Sequence, residues 1–377
     1  MNTPELREHC AQRLLAGAAK AERMTAFVGF DGFVDEIVHV VDKRDGPESF
    51  QRVTTISKLA ERLGAAAGKS TNIEIVNRAT KLGGNGPIMA NTLAGFGLKV
   101  TCLGTLGWPD LHPVFADFAK RAEVHSLAEP GHTDALEFDD GKVMIGKIFS
   151  LNDVNWANIQ SRYGRDRFAS QLAGADLVGF VNWTMLPHVN EIWRATLGEI
   201  CPGLKGNRRI MFFDLADPEK RKPDDIREAL KTIVEFEKYF DVVLGLNEKE
   251  AREIGDVLGL PAAGKSPDAF SLLALEINRR VPVNTLVVHP VSCALAAGNG
   301  VVSLVEGAFT PKPVITTGAG DHFNSGFCLG KLLGLDNAQS VLTGVATSGH
   351  YVRTAQSPNI PDLAKMLRSW PKESDTK

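Results

Sequence analysis

Residues 316–327 read TTGAGDHFNSGF and combine small residues, an acid and an apolar pattern at helical spacing. Three residues with almost no side chain, Gly318, Ala319 and Gly320, stand directly before Asp321, and the segment then becomes apolar at helical spacing. The pattern has a structural explanation, because a glycine turn leads into a helix whose dipole favours an acid in its first turn. It also has a chemical explanation, since bare amides at a helix start bind anions and a nearby acid can accept a proton. The stretch alone leaves both explanations open.

The composition is that of an ordinary globular protein. Of the 377 residues, 44% are hydrophobic and 23% are charged, which argues against a disordered chain. This length suits one large α/β domain or two smaller ones. The chain has 42 Lys plus Arg against 45 Asp plus Glu, a net charge of −3, so the basic excess typical of a nucleic-acid-binding protein is missing.

The cysteines and the amino terminus predict a cytoplasmic protein. The 5 cysteines form no CxxC pair, and their odd number favours a reducing compartment without a structural zinc site. Residues 1–20 have the pattern of a charged amphipathic helix and lack the apolar core of a signal peptide. No run of about 18 apolar residues occurs, so we expect no membrane span.

Strand-like and helical patterns alternate along most of the chain. The strand-like runs are 25–30, 36–41, 99–106, 176–181, 209–215, 241–246 and 284–290. The helical patterns include 189–199, 225–238, 247–257, 266–279 and 336–370. This alternation predicts a doubly wound α/β fold, a mostly parallel sheet with helices on both faces.

Three segments interrupt the alternation. Residues 36–41 and 72–77 have strand character without a convincing helix after the first, and 134–149 reads as a hairpin around DDGK. Strands of this kind can form a small second sheet. Beside a Rossmann-like core such a sheet often serves as a lid.

Two more segments carry candidate ligand-binding residues. KLGGNGPIMANTLAGFG, residues 81–97, has glycines before a helix, but it matches neither the dinucleotide fingerprint nor the Walker A pattern. These glycines permit either a tight turn or a close approach to a ligand. In FVGFDGFVDEI, Asp31 and Asp35 follow the first predicted strand, where they can accept hydrogen bonds from sugar hydroxyls. Asp31 can equally serve a turn with Gly32.

A fourth segment, LGLNEKEA, places Asn247 and Glu250 at the start of a predicted helix. The spacing is that of a capping box, which would explain both residues structurally. Alternatively, both side chains face phosphate and hydrated magnesium. Elsewhere the chain has neither HExxH nor a nucleophile elbow, so neither a zinc hydrolase nor an α/β hydrolase is expected.

In this order the motifs resemble the ribokinase family, the PfkB-type carbohydrate kinases. The match GAGDHF at 318–323 is specific, GGNG at 83–86 and NEKE at 247–250 are moderate, and DLADPEKR at 214–221 is similar to a weaker family segment. The resemblance spans roughly 25–365 and implies a three-layer αβα sandwich, with a Rossmann-like sheet and a small β lid.

The resemblance also implies a role for each motif. Asp321 would be the general base, and Gly318, Ala319 and Gly320 would form the anion hole of an ATP-dependent and Mg²⁺-dependent sugar or polyol kinase. The implied substrate-binding residues are Asp31, Asp35, Gly84, Asn85 and Asn182; the implied nucleotide-binding residues are Asn247, Ser292, Thr317 and Gly344; and the implied metal-binding residue is Glu250. The implied boundaries are an N-terminal helical extension at 1–24, a single kinase domain at 25–370 and a tail at 371–377.

The chain departs from the family pattern near the nucleotide. The segment HPVSCA, residues 289–294, stands where many members carry Thr-x-Gly-x-x-Gly, and Ile315 stands where an acid is common. Since isoleucine offers no oxygen to a monovalent cation, we expect weak or no activation by potassium. Two alternatives remain: a kinase of nucleosides or vitamin alcohols, and a catalytically weak binding or regulatory protein. The resemblance is compatible with a homodimer formed through the lid.

Overall fold

The computed structural model describes residues 2–371, so most of the predicted tail, 372–377, lies outside the described residues. The strands are β1 Thr25–Gly29, β2 Phe33–Arg44, β3 Phe50–Arg52, β4 Ile75–Gly83, β5 Lys99–Gly104, β6 Glu123–Ser126, β7 Gly131–Phe138, β8 Gly141–Lys147, β9 Leu177–Phe180, β10 Arg209–Asp214, β11 Phe240–Leu246, β12 Thr285–Val288, β13 Cys293–Gly298 and β14 Val301–Glu306. The helices are α1 Pro4–Ala21, α2 Ile56–Ala65, α3 Asn85–Gly95, α4 Ala116–Ala119, α5 Trp156–Asn158, α6 Arg165–Gly174, α7 Val189–Ala195, α8 Pro223–Glu235, α9 Glu248–Val257, α10 Pro267–Arg280, α11 Ala319–Leu332, α12 Asn337–Thr354 and α13 Ile360–Arg368.

The large sheet is mostly parallel, as predicted. Within residues 2–371 its order is β14-β13-β12-β11-β10-β9-β1-β5-β6. All pairs from β12 to β6 are parallel, and β13 and β14 add an antiparallel edge. The carboxyl ends of β1, β9, β10 and β11 therefore lie along one edge, where parallel α/β sheets bind their ligands.

Helices cover both faces of this sheet and make two apolar cores. One core contains side chains of α6 to α10, such as Phe168 and Trp193. The other contains side chains of α1, α3, α11, α12 and α13, such as Leu14 and Phe327. These layers confirm the predicted αβα sandwich. No helix of residues 2–371 is long and apolar enough to cross a membrane.

The small sheet has the order β3-β2-β7-β8, and β4 pairs with β2. The predicted strand 36–41 lies within β2, and the predicted hairpin is β7 and β8. The predicted strand 72–77 was wrong in position, because β4 runs over 75–83. Most of β4 is exposed or only partly buried, so its sequence NRATK shows no alternation of apolar and polar residues that would mark a strand.

Helix α1 covers much of the predicted N-terminal extension. Thr3 caps it, with Oγ1 accepting a hydrogen bond from the Leu6 amide at 3.2 Å. Cys10 and Leu14 are fully buried in the core shared with α11 and α12. This helix is therefore part of the packed body of the molecule.

Candidate active site

The start of α11 is an open helix terminus. Gly318 precedes the helix with φ 87°, a left-handed conformation that glycine adopts without a steric penalty. No side chain caps this terminus, and the Ala319 amide donates to the Thr316 carbonyl at 3.1 Å. Within residues 2–371 the amides of Gly318 and Gly320 have no backbone acceptor. Free amides and the helix dipole make this terminus suited to an anion.

Asp321 lies in the first turn of α11 and is buried, with 8% of its surface exposed. Its Oδ1 accepts a hydrogen bond from Asn85 Nδ2 at 2.8 Å. Burial raises the pKa of this carboxyl well above its usual range, the charges of Asp31 and Glu250 raise it further, and the Asn85 hydrogen bond opposes the shift. A carboxylate with a raised pKa is a stronger base than an exposed one, which suits proton acceptance.

The glycine turn before α3 is closed by an internal carboxylate. Gly84 has φ 96°, and Asp31 accepts hydrogen bonds from the amides of Asn85 at 2.9 Å and Gly86 at 2.7 Å. Asp31 also accepts one from Asn182 Nδ2 at 2.7 Å. Burial raises the pKa of Asp31 to about 6.

Asp31 and Asn182 were predicted to bind substrate, but they are 0% and 1% exposed. The oxygens of Asp31 already serve protein donors, so the structure places both side chains beneath the turn. We infer that they stabilise this turn. The turn positions Asn85 for its hydrogen bond to Asp321.

A first cavity of ≈ 490 Å³ lies between the small sheet and the start of α11. Asp35 lines it, as predicted for a substrate-binding residue, and burial raises the pKa of its carboxyl. The small sheet also contributes Ile37, Arg78, Lys81 and Lys142, and the helices contribute His322, Tyr351 and Ser357. Thr317, predicted to bind nucleotide, lines this cavity as well.

A second cavity of ≈ 280 Å³ lies on the other side of the same turn. Thr316, Ala319 and Gly320 line it together with His289 and Val291 from the loop after β12. The start of α11 therefore separates two cavities, an arrangement that suits two substrates exchanging a group across it.

Ser292 and Gly344, both predicted to bind nucleotide, lie beside the second cavity, with their neighbours Val291 and Val345 in its lining. Ser292 is exposed, and its carbonyl accepts from the Gly307 amide at 2.9 Å. A Cβ at Gly344 would lie 2.8 Å from the ring of Phe323, so this glycine permits the close packing of α12 on α11.

The start of α9 is closed by its own side chains. Asn247 Oδ1 accepts from the Glu250 amide at 3.0 Å, and Glu250 Oε2 accepts from the Asn247 amide at 2.8 Å. Glu250 Oε1 also accepts from the Asp217 amide at 3.0 Å. The capping-box interpretation is thus correct in geometry. Glu250 is 4% exposed, and burial raises its pKa.

Three buried carboxylates, Asp214, Glu250 and Asp321, lie close enough to influence one another. Burial raises the pKa of Asp214 well above its usual range, and the charges of Glu250 and Asp321 add to the shift. Asn324 Nδ2 donates to Asp214 Oδ2 at 2.8 Å, while its Oδ1 is buried without a hydrogen-bond partner in residues 2–371.

This cluster fits a hydrated magnesium ion. Within the described chain no group of three or more His, Cys, Asp or Glu is arranged to hold a metal directly. Mg²⁺ usually keeps several of its waters and binds through few protein ligands together with substrate phosphates. A divalent cation would also relieve the mutual repulsion of the carboxylates and give the orphaned Asn324 oxygen a hydrated partner.

Sequence reasoning assigned no role to Asp214, His289, His322 or Tyr351. A signal for Asp214 existed, since an acid at the carboxyl end of a buried strand points to the ligand edge of the sheet. His322 follows Asp321 directly, but its sequence position does not show which way its ring points. Tyr351 reaches the site from another helix, a contact that only the packing of α12 on α11 creates.

The chain matches the family described as prokaryotic ketohexokinase over residues 3–370. It is 31% identical over 337 residues to a ketohexokinase of Haloferax volcanii, covering 89% of this chain and 88% of the relative. Among solved structures it is similar to Arabidopsis thaliana ribokinase complexed with ribose and ATP, with a TM-score of 0.63, 15% identity, and coverage of 92% of this chain and 98% of that one. It is also similar to a mutant of phosphofructokinase-2 of Escherichia coli, with a TM-score of 0.62, 14% identity, and coverage of 93% of this chain and 99% of that one. At these identities the two structures show a shared fold.

Proposed function

Because this chain belongs to the prokaryotic ketohexokinase family, we propose that it transfers the γ-phosphoryl group of ATP to a hydroxyl group of a ketohexose. It is a carbohydrate kinase of ribokinase-like fold. The name of the Haloferax volcanii relative motivates the ketohexose as acceptor. The observation that carries the reaction is the position of Asp321, a buried carboxylate at an uncapped helix start with a cavity on either side.

In the proposed arrangement the sugar occupies the first cavity and the nucleotide the second. The acceptor oxygen attacks the γ-phosphorus while its proton passes to a carboxylate oxygen of Asp321. The bond between the γ-phosphorus and the β,γ-bridging oxygen breaks, and ADP leaves. The free amides of Gly318 and Gly320 face the charge on the transferred group and stabilise it. Asn85 holds the Asp321 carboxylate in place through its 2.8 Å hydrogen bond.

Asp214, Glu250 and Asn324 would hold magnesium, which when bound neutralises phosphate charge during the transfer. Glu250 keeps its two backbone hydrogen bonds in this role, because each carboxylate oxygen has a second lone pair for a water. Asn247 orients Glu250 through the reciprocal cap.

The small sheet is proposed to act as a lid, within a kinase domain of residues 25–370. Its side chains Ile37, Arg78, Lys81 and Lys142 form one wall of the first cavity. Closure over the sugar would exclude water, which otherwise competes as phosphoryl acceptor. Hydrogen exchange in β2, β4, β7 and β8 should slow when a saturating ketohexose is added, and unchanged protection would contradict a lid.

The lid is also proposed to form a homodimer. Its outer strand and the residues after it expose Met144 and Ile145 at 49%, Ile148 at 41% and Phe149 at 88%. A second copy of this sheet would cover these apolar side chains. We further expect the protein to work in the cytoplasm, since all five cysteines are free and buried.

The decisive experiment is an acceptor screen with ATP and Mg²⁺. Ketohexoses, aldohexoses, pentoses, glycerol and nucleosides are compared by ADP release, and the phosphorylated product is confirmed by phosphorus NMR. We expect the highest kcat/KM with a ketohexose. The Asp321→Asn variant, purified in parallel, controls for contaminating kinases. A nucleoside or vitamin alcohol as best acceptor would contradict the proposal, and ligand binding without ADP release would favour a regulatory protein.

A further inference from the structure

His322 follows the proposed base in sequence and holds the turn before it. Its Nδ1 lies 2.7 Å from the Gly318 carbonyl oxygen, and its Nε2 lies 2.9 Å from Ser357 Oγ. A carbonyl oxygen can only accept, so Nδ1 carries the proton and Nε2 accepts from the Ser357 hydroxyl. The two hydrogen bonds therefore hold the ring in one tautomer and one orientation.

Tyr351 holds the preceding peptide of the same turn. Its ring stacks on that of His322, with centroids 3.6 Å apart and planes at 13°. Its hydroxyl donates to the Thr317 carbonyl at 3.0 Å. Burial raises the pKa of Tyr351 to about 12, so the hydroxyl remains a donor near neutral pH. The two stacked rings, one from α11 and one from α12, thus hydrogen-bond to the successive carbonyl groups of Thr317 and Gly318.

The direction of these carbonyls fixes the direction of the next two amides. In a planar trans peptide the C=O and the following N–H point to opposite sides. When Tyr351 holds the Thr317 carbonyl, the Gly318 amide is turned away from Tyr351. When His322 holds the Gly318 carbonyl, the Ala319 amide is set for its hydrogen bond to Thr316, which closes the turn.

We propose that His322 and Tyr351 are positioning residues that pre-organise the phosphate-facing turn 316–320. The turn needs such support, because Gly318 can populate many conformations and no side chain caps α11. Oriented donors contribute to catalysis when they need no reorganisation as the charge develops. This inference rests on the proposed transfer at Asp321, and it assigns a task to two side chains that have no role in the transfer step itself.

A competing role is open to the same two residues, since both line the first cavity. If they contacted the sugar, their loss would raise the acceptor KM and leave kcat unchanged. If they position the turn, their loss lowers kcat with little change in acceptor KM, because the turn faces the transferred group. The division between kcat and KM therefore distinguishes the two roles.

The test compares His322→Phe, which keeps a stacked ring but removes both hydrogen bonds, with Tyr351→Phe, which removes one hydroxyl. We expect His322→Phe to lower kcat about tenfold or more, a fraction of the loss seen when an oxyanion donor itself is removed, with acceptor KM within about threefold. Tyr351→Phe should lower kcat by a smaller factor. His350→Phe, the same substitution beside Tyr351 on α12, is the matched control and should retain wild-type kcat.

A second measurement excludes a general loss of structure. ADP with aluminium fluoride mimics the transferred phosphoryl group, so its affinity should fall in His322→Phe by about the same factor as kcat, while the affinity for ADP alone stays unchanged. If His322→Phe does not fold, Tyr351→Phe decides alone. Unchanged kcat and fluoride-complex affinity in Tyr351→Phe, or a rise in acceptor KM alone in either variant, would overturn the inference. A wild-type protein without turnover would instead refute the proposed function.

Discussion

Two helices, α9 and α11, start at the same edge of the large sheet, and they differ in whether side chains cap the amides of the first turn. Helix α9 closes its first turn with its own side chains, through the reciprocal hydrogen bonds of Asn247 and Glu250. Helix α11 follows Gly318 and has no side-chain cap. A capped start is stable by itself, whereas an uncapped start keeps its amides available for a ligand. The difference indicates that α11 meets the phosphoryl group and α9 supports the site.

Helix α3 shows a third solution. Its first amides already bind an anion, but this anion is the internal carboxylate of Asp31. The site thus contains one helix start capped by its own residues, one filled by a distant carboxylate and one left open. A change at each start should therefore have its own effect, and the effect should be largest at the open start of α11.

Asp321→Asn should cause the largest loss. The substitution keeps the size of the side chain and can still accept the hydrogen bond of Asn85, but it removes the basicity. We expect turnover to fall by at least ~10², since general base catalysis contributes factors of this order. Acceptor binding, measured by calorimetry, should be largely retained. Near-normal turnover with the authentic acceptor would show that the open helix start does not work through Asp321.

The same variant should be more stable than the wild type at neutral pH. The native pKa of Asp321 is raised above its unfolded value, so the native state binds more protons and its stability falls as pH rises through this window. The window begins at about pH 4, the usual pKa of an aspartate, and extends to the raised native pKa. When melting temperature is measured across pH, the difference between Asp321→Asn and the wild type should increase in favour of the variant as pH rises. A constant difference would contradict the raised pKa.

The sequence predicted the open start of α11 more fully than its surroundings. The segment GAGD specified a glycine turn, a helix and an acid within a few residues, all of which are local. Asp31 and Asn182 were assigned to substrate because their strand-end positions are right for it. They are buried because the loops after β1 and β9 pack against the start of α3. This is a tertiary contact, and a local sequence pattern does not predict it.

In the fold too, elements with a clear local sequence pattern were predicted and elements without one were missed. Buried parallel strands such as β10 and β11 are short, continuous apolar runs, and they were predicted within about two residues. The antiparallel edge strands β13 and β14 were not predicted. Their sequences CALAAG and VVSLVE have no flanking helical pattern, so the alternation of strands and helices gave no place for them.

Asp31→Asn should test whether this carboxylate fills the start of α3 or binds substrate. The asparagine side chain has one acceptor oxygen, whereas the protein donors around Asp31 now bind two carboxylate oxygens. At least one buried donor is therefore left unpaired, at a cost of about 1–3 kcal/mol. The melting temperature should fall, with acceptor KM little changed. Loss of the negative charge should also lower the pKa of Asp321, which Asp31 helps to raise, and shift the acidic limb of the pH–rate profile to lower pH. An unchanged melting temperature with a raised acceptor KM would restore the substrate-binding role.

Glu250→Gln should separate capping from a role in magnesium binding. Glutamine has one acceptor oxygen for the two backbone amides that Glu250 binds, so one amide loses its partner at a cost on the order of 1 kcal/mol of stability. Loss of a carboxylate near the metal should in addition raise the Mg²⁺ concentration for half-maximal rate. We expect both effects.

A matched control exists at the opposite end of the chain. Asn359 and Asp362 form the same reciprocal cap on α13. Asp362→Asn should therefore lower the melting temperature and leave the magnesium dependence unchanged. If Glu250→Gln behaves in the same way as this control, Glu250 is a cap and has no part in binding the metal.

The smallest effect is expected from potassium. Ile315 lines the first cavity next to the open turn and offers no side-chain oxygen, whereas a cation requires several. The turn is instead held by the hydrogen bonds of His322 and Tyr351 to its carbonyls. Those carbonyl oxygens are therefore already engaged by protein donors and are less able to coordinate an ion. Exchanging potassium for tetramethylammonium at constant ionic strength, so that screening is unchanged, should leave kcat nearly the same. A many-fold drop would show that a cation orders the turn, and that protein side chains alone do not keep the start of α11 in its open form.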